Sequence, residues 1–498
     1  MTDLSNRIGA VNDVLNAVSL LTWDSRTMMP GGGAETRGQQ IATLTRLARD
    51  ILLSEETRTA LKAAEAAAQP GYTAEGQQVI QTREAIEHHS RVPADLIEAR
   101  AGLRTVAQSA WIEARSKSDF SIFAPHLEKT VELSRRYADA IGWEKHPYDA
   151  LISLYEPGET VEGLQSLFAT LKAGLKPILA AVQARPQPRT DFLTRDYPEE
   201  GQRAFGLKMA QKFGYDLTRG RLDTTVHPFE VSFTRNDVRI TTRYRRDFLP
   251  ASIFGTFHEA GHGMYEQNVD PAYTRTTLAT DLIGLYAVGG TSFGAHESQS
   301  RLWENHVGRN RAFWRLNFAE LQAQFPDKLA DVTADEFYAA VTRIQPGFIR
   351  VEADELTYDF HIMLRVEIER RLIEGSLAVK DLPEVWNAAI KSDLGLTVPD
   401  DARGVLQDVH WSTGYFGSFP TYTVGNVMAA QLMDTLRREQ PDIDIALADG
   451  DYASLAGWLR GKVWQHGRRF TRDDLLIRAT GRALDPKPYL AYLTGKYA

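Results

Sequence analysis

The chain has 498 residues, 43% hydrophobic and 24% charged, a near-average globular composition that excludes a disordered tail protein or a collagen-like fibre. On a prior of about 150 residues per domain it allows about three domains or one large unit. It holds no cysteine and carries a net charge of −8 with Lys and Arg scattered, which excludes disulfide scaffolds, thiol nucleophiles, iron–sulfur clusters and cysteine-bound zinc, and argues against a nucleic-acid partner.

Helical periodicity dominates in chain order. Met1 to Leu21 carries Asp3 and Asp13 without a basic start and apolar core, so it predicts an amphipathic helix rather than a signal peptide. The Ala-rich stretch Ala60 to Ala68 predicts a helix closed by the turn signal Pro70-Gly71. From Thr160, the positions Val161, Leu164, Phe168, Leu171, Leu175 and Ile178 recur every three or four residues and mark one buried face. Pro-rich Arg185 to Arg189 is the best candidate boundary. Val226 to Phe233 and Val238 to Tyr244 are rich in β-branched and aromatic residues and flank Thr234 to Asp237, which predicts a β-hairpin. Thr333 to Glu336 is a capping-box pattern, and Gly375 stops a run through Leu356, Phe360, Leu364, Ile368 and Leu372. Val398 to Asp401 reads as a loop. No repeat of fixed period and no uninterrupted apolar run long enough to span a membrane is present. The expectation is a soluble, cytoplasmic, mostly helical protein: one catalytic unit over residues 1–498 with two helical lobes.

His258-Glu-Ala-Gly-His262 carries the chemistry. On a helix, positions four apart share a face, so both imidazoles can reach one metal ion. Glu259 lies about 100° around the helix, beside such an ion, where it can take a proton from water. Two buried neutral histidines on a helix are the bland alternative. A catalytic zinc shell needs a third protein ligand, and His296-Glu297 to Glu304 offers two carboxylates. Either can be an ordinary solvated helix glutamate. Glu297 is favoured because Gly289 to Gly294 is rich in small residues that let backbones approach closely.

HEAGH followed by HESQSRLWE resembles the thermostable metallocarboxypeptidase family typified by carboxypeptidase Taq. Similar to that family, too, are His227-Pro-Phe229, Asp237 to Thr241 (DVRIT), Ile349 to Asp354 (IRVEAD), Gly404 to Trp411 (GVLQDVHW), Thr22 to Gly38 and Tyr148 to Gly158. The resemblance spans most of the chain. It implies a neurolysin-like helical fold with two lobes, a deep central groove, a small β-hairpin near the active site, and homodimeric assembly. It implies release of single residues from peptide C-termini, with His258, His262 and Glu297 as metal ligands and Glu259 as base. The stretch from His258 to Glu297 exceeds the usual family spacing by roughly two to three helical turns. The surplus falls in Arg275 to Gly290, which predicts a short extra apolar helix. Where the family tends to read GYFPTY, this chain has Ser418 in place of the tyrosine, with Tyr415 three residues earlier.

A terminal carboxylate calls for a bidentate arginine, for which Arg350 is the first candidate and Arg239 the second; a structural ion pair is the alternative for each. Asp354 is a candidate to orient a metal-bound histidine or to cap a helix. His227, His410, Tyr422 and Tyr415 complete the substrate-binding candidates. Zinc is the chemical default for two imidazoles and a carboxylate, one ion per chain, with cobalt or manganese able to take its place. An oligopeptidase cutting short peptides internally and a catalytically silent helical scaffold are the rival readings.

Overall fold

The HExxH segment lies within one helix, Pro250–Gln267, in a computed structural model that describes residues 1–67 and 71–498. Pro250 opens the helix, where a missing N–H costs nothing because no partner lies in the preceding turn. Phe254, Phe257, Ala260 and Met264 are buried on one side, while Thr256, Glu259 and Glu266 are buried on others. A helix buried nearly all round needs neighbours on every face. Most described residues are helical, and three strands form the one named sheet.

The chain divides into two compact units, each assembled from separated segments. One comprises Met1–His89, Gln187–Thr342 and Gly425–Asp485. In it, helix Thr2–Thr27 packs on helix Ala34–Leu53. The strands are β1 (Gly220–Thr224), β2 (Glu230–Thr234) and β3 (Asp237–Thr242), in the order β1-β3-β2. β2 and β3 make the expected antiparallel hairpin, with a register shift between Ser232 and Thr234. β1 pairs parallel with β3 and was not foreseen, because Gly220 to Thr224 has neither alternation nor a β-branched run. The HExxH helix sits directly on β3: a Cβ at Gly263 would lie 3.1 Å from Ile240 Cγ2. Beneath it, Phe213 meets Phe257 at 5.0 Å and Trp303 at 4.8 Å between ring centroids.

Arg275 to Gly290 is not the extra helix that its apolar content suggested. A short 3-10 turn, Thr277–Ala279, is followed by a bridge between Asp281 and Tyr286. Asp281 Oδ1 accepts the N–H groups of Ile283 and Gly284, closing a turn that competes with helix. Arg275 and Leu285 have φ of +62° and +56°, values a right-handed helix excludes. Arg275 pairs with Asp13 at 2.7 Å, fastening the segment to the first helix.

The other unit comprises Ser90–Pro186, Arg343–Val424 and Pro486–Ala498. One crossing between units thus falls at Pro186, inside the proline-rich stretch. Helices Ala94–Lys117 and Phe120–Ile141 form a hairpin through Ser118, which has φ of +52°. Helix Val161–Gln183 starts at Thr160, whose side chain accepts the Gly163 N–H. Helix Tyr358–Glu374 ends at Gly375 with φ of +97°. Its apolar stripe is buried as the periodicity predicts, yet His361, Arg365 and Glu369, four residues apart on another face, are buried as completely. The capping box at Thr333 and Glu336 forms with both reciprocal bonds. The Ala-rich stretch is helical through Ala67, in a helix that begins at Glu55; Ala68 and the proline of its turn signal lie outside the described residues.

Candidate active site

Glu297 stands on helix Phe293–Arg301, whose start is fixed by Ser292 accepting the Ala295 N–H. Its Oε2 lies 3.6 Å from His258 Nε2 and 3.4 Å from His262 Nε2. Donors about 2.0–2.1 Å from a tetrahedral ion stand about 3.3 Å apart, so this spacing fits a shared cation. One ligand atom from each of the three residues lies within 4.8 Å of the others. Two glycines permit the approach. A Cβ at Gly261 would sit 2.5 Å from Gln299 O, and one at Gly425 would sit 2.6 Å from Glu297 Cγ.

Each donor is held from behind. His258 Nδ1 is 2.9 Å from Glu304 Oε2, so the second carboxylate of the motif meets the opposite edge of the ring from Glu297. Glu304 lies in a π-helical turn, Leu302–Gly308, and Arg309 pairs with its other oxygen at 2.6 Å. Glu297 Oε1 accepts from Arg301 Nε at 2.7 Å. His262 Nδ1 lies 2.6 Å from His296 Nδ1, and His296 Nε2 lies 2.9 Å from Glu266 Oε1. Glu266 in turn accepts the N–H groups of Gly289 and Gly290.

Burial and neighbouring charge set the protonation of this cluster. Burial pushes the Glu259 carboxyl up to about 7; His258 opposes the shift, while Glu297 and Glu304 add to it. A carboxyl poised near neutrality suits a general base. Burial works to raise Glu297 as well, but Arg301 and the two histidines outweigh it and hold the group well below the usual range. Burial pushes His262 down to about 3, favouring the neutral ring a metal requires. For Glu266, burial raises the pKa, and the His296 contact with the two glycine N–H groups overcomes it.

In the other unit, Asp408 is shared between two arginines. Arg350 Nη2 reaches Oδ1 at 2.8 Å, and Arg365 Nε reaches Oδ2 at 2.6 Å. Arg350 Nη1 also donates to Tyr358 Oη at 3.0 Å. Burial works against every charge here. The paired guanidiniums nonetheless hold Asp408 well below the carboxylate range, and Asp408 raises Arg350 in return. The result is a buried centre of two cations on one anion. Arg350 lies 5.2 Å from the Tyr422 ring, and Tyr422 Oη is 3.3 Å from His410 Nε2. Burial lowers His410 to about 3, with Arg350 pushing the same way. The structure therefore brings Arg350, His410 and Tyr422 together.

The other sequence candidates have the following surroundings. Arg239 makes two 2.9 Å bonds to Asp237 and covers the Trp23 ring at 4.4 Å. His227 is exposed in the connection between β1 and β2. Tyr415 faces Tyr155 and Arg104, and Ser418 Oγ donates to the Tyr415 carbonyl. Asp354 accepts the N–H groups of Gln345, Leu356 and Thr357, so its oxygens serve as caps; the carboxylate on a HExxH histidine is Glu304. Sequence reading assigned no role to Glu266, His296, Arg301, Arg365 or Asp408. One signal was available: Glu266 continues the four-residue spacing of His258 and His262, and Arg365 does the same from His361.

The helical fold with this donor set is that of a metallopeptidase. The chain belongs to the carboxypeptidase Taq (M32) metallopeptidase family, whose sequence profile matches residues 3–497. Carboxypeptidase 1 of Bacillus subtilis is 39% identical, with the match covering 100% of this chain and 97% of that protein. Thermostable carboxypeptidase 1 of Thermus thermophilus is also 39% identical, over 96% and 94%. The crystal structure of the M32 carboxypeptidase of Deinococcus radiodurans superimposes with a TM-score of 0.95 at 41% identity, covering 100% of this chain and 98% of that one. The chain is thus a metallocarboxypeptidase, a hydrolase of peptides, and neither rival reading is favoured by these relatives.

Proposed function

We propose that His258, His262 and Glu297 hold one zinc ion and that Glu259 is the general base in the removal of single residues from peptide C-termini. The observation that carries the reading is the approach of Glu297 Oε2 to both Nε2 atoms, at 3.6 and 3.4 Å. A divalent ion held there supplies Lewis acidity toward the scissile carbonyl and lowers the pKa of water; cobalt or manganese suits the same donors. Glu259 accepts the proton of the attacking water and passes it to the leaving amine. Its shift to about 7 lets it hold that proton between the two steps. His258 and His262 would each turn Nε2 toward the ion, and Glu304 orients the first of them through Nδ1.

Arg350 is the proposed anchor of the substrate's terminal carboxylate. Support comes from the surplus positive charge of the Arg350–Asp408–Arg365 centre, since a partner carboxylate would complete its neutralisation. Tyr422 and His410 beside it are proposed as donors to the substrate, with Tyr415, His227 and Arg239 as second choices. Digestion of a long synthetic peptide, followed by mass spectrometry, tests the activity: successive single losses from the C-terminus are expected, and internal fragments would replace this reading with the oligopeptidase. We also read the chain as one catalytic unit in a cytoplasmic homodimer. That reading rests on the absence of cysteine and on family resemblance, and light scattering tests the dimer.

A further inference from the structure

We propose that Glu266 and His296 are positioning residues that fix the tautomer of His262 and so keep its Nε2 as a lone-pair donor to a divalent cation. The inference rests on the ligand set proposed above. A carboxylate only accepts, so His296 Nε2, 2.9 Å from Glu266 Oε1, is the protonated nitrogen of that ring. Glu266 is fixed in turn by Gly289 N at 2.9 Å and Gly290 N at 3.0 Å. With that as the ring's one proton, His296 presents a lone pair at Nδ1. That lone pair lies 2.6 Å from His262 Nδ1, so His262 carries its proton there. His262 Nε2 is then unprotonated on the side where Glu297 Oε2 stands 3.4 Å away.

The two histidines of the motif thus reach the same state by different routes. His258 would donate its Nδ1–H directly to Glu304 at 2.9 Å. His262 would donate its own to an imidazole, and the carboxylate stands one ring further out. The intervening ring has little freedom. It lies 5.3 Å from the Tyr265 ring, and a Cβ at Gly290 would sit 2.5 Å from His296 Cδ2. A metal-ligating histidine commonly donates its second N–H to a carboxylate, a carbonyl or water; here a second histidine takes that place, with Glu266 setting its polarity.

The test uses the full-length protein and zinc alone. Competition against a chromophoric chelator gives the zinc dissociation constant of wild type, His296→Phe and His296→Gln. Phenylalanine keeps a ring but accepts no proton, so zinc should bind about 10–100-fold more weakly. Glutamine offers an amide oxygen to the His262 Nδ1–H and should recover much of that loss. Nitrogen NMR of metal-free wild type with labelled histidine should show His262 protonated at Nδ1. A His296→Phe dissociation constant within threefold of wild type, or a His262 protonated at Nε2, overturns the relay. If His296→Phe fails to fold, the wild-type NMR and the glutamine variant still decide. A wild type that holds no zinc, or one whose affinity survives Glu297→Ala, overturns instead the ligand reading on which the relay stands.

Discussion

Arg301 Nε holds Glu297 Oε1 at 2.7 Å, while Oε2 of the same carboxylate faces both HExxH imidazoles. One guanidinium therefore selects which oxygen faces the imidazoles, where the proposed cation would sit, and its charge keeps the group ionised. The pair is four residues apart on one helical face, so the helix itself sets the geometry. Arg301→Gln should weaken metal binding by about 10–100-fold, whereas Glu297→Ala should abolish it. Dialysis followed by elemental analysis separates the two. Equal retention in both variants would assign the third ligand elsewhere, with Glu304→Ala as the next variant to measure.

Glu259→Gln should keep the metal and the fold but lose activity by about 10²–10⁴-fold, because the amide cannot accept the proton of water. Steady-state kinetics beside metal analysis checks this. Retention of more than about a tenth of wild-type kcat rules out the general-base role.

Chelation should remove activity, and added zinc or cobalt should restore it. Because a bound ion favours the folded state by mass action, the metal-free protein should also melt at a lower temperature. Calorimetry before and after dialysis against a chelator reads the difference. Full hydrolysis by protein shown to be metal-free would contradict a metal-dependent mechanism.

Peptides ending in an amide should be poor substrates. Leaving a desolvated guanidinium unpaired costs on the order of 2–4 kcal/mol, so kcat/KM should fall steeply on amidation in the wild type. Arg350→Ala should lose most of that preference while still binding metal, and Arg239→Ala should keep it. If Arg350→Ala discriminates acid from amide as well as wild type does, the carboxylate is read by another residue.

Glu369 makes stability depend on pH. It is fully buried, accepting from Tyr148 Oη at 2.5 Å, Gly417 N at 2.8 Å and Trp411 Nε1 at 2.9 Å. Burial still raises its pKa from 4.5 to about 7. Below the unfolded value both states hold the proton and there is no penalty. Between about 4.5 and about 7 the unfolded chain releases it first, so stability falls as pH rises, by roughly 3 kcal/mol in all. Glu369→Gln does not titrate, although it forfeits one accepted bond at every pH. Its melting temperature relative to wild type should therefore rise between pH 5 and pH 8. A difference that stays flat with pH would place the Glu369 pKa in its ordinary range.

Local signals in the sequence carried the helices, the hairpin and the HExxH geometry, because each depends on spacing within a few residues. The capping box at Thr333 and the stop at Gly375 are of that kind. Strand β1 escaped because its pairing with β3 is a long-range contact that its own residues do not announce. The apolar stretch after Arg275 misled for the opposite reason: hydrophobicity foretold the burial of Leu278 and Leu282, but Asp281 turned the backbone into a bridge. The support behind the proposed ligands was the least legible. Glu266, Arg301 and Asp408 are charged residues whose burial is decided by partners brought in by folding. A polar residue at helical spacing carries no sign of whether it faces water or another charge.

Gly261, the one glycine of HEAGH, has a consequence for protein engineering. The general HExxH pattern leaves this position open, yet here the backbone at Gln299 and Ser300 closes over it at 2.5 and 2.7 Å from where a Cβ would stand. A saturation library at position 261 should return glycine almost alone among active clones, and even alanine would force apart the two helices that carry the proposed ligands. Grafting the pentapeptide onto another helix would accordingly fail unless the recipient offered an equally close partner backbone. What has to be transplanted is a helix crossing, with the histidines as passengers on it.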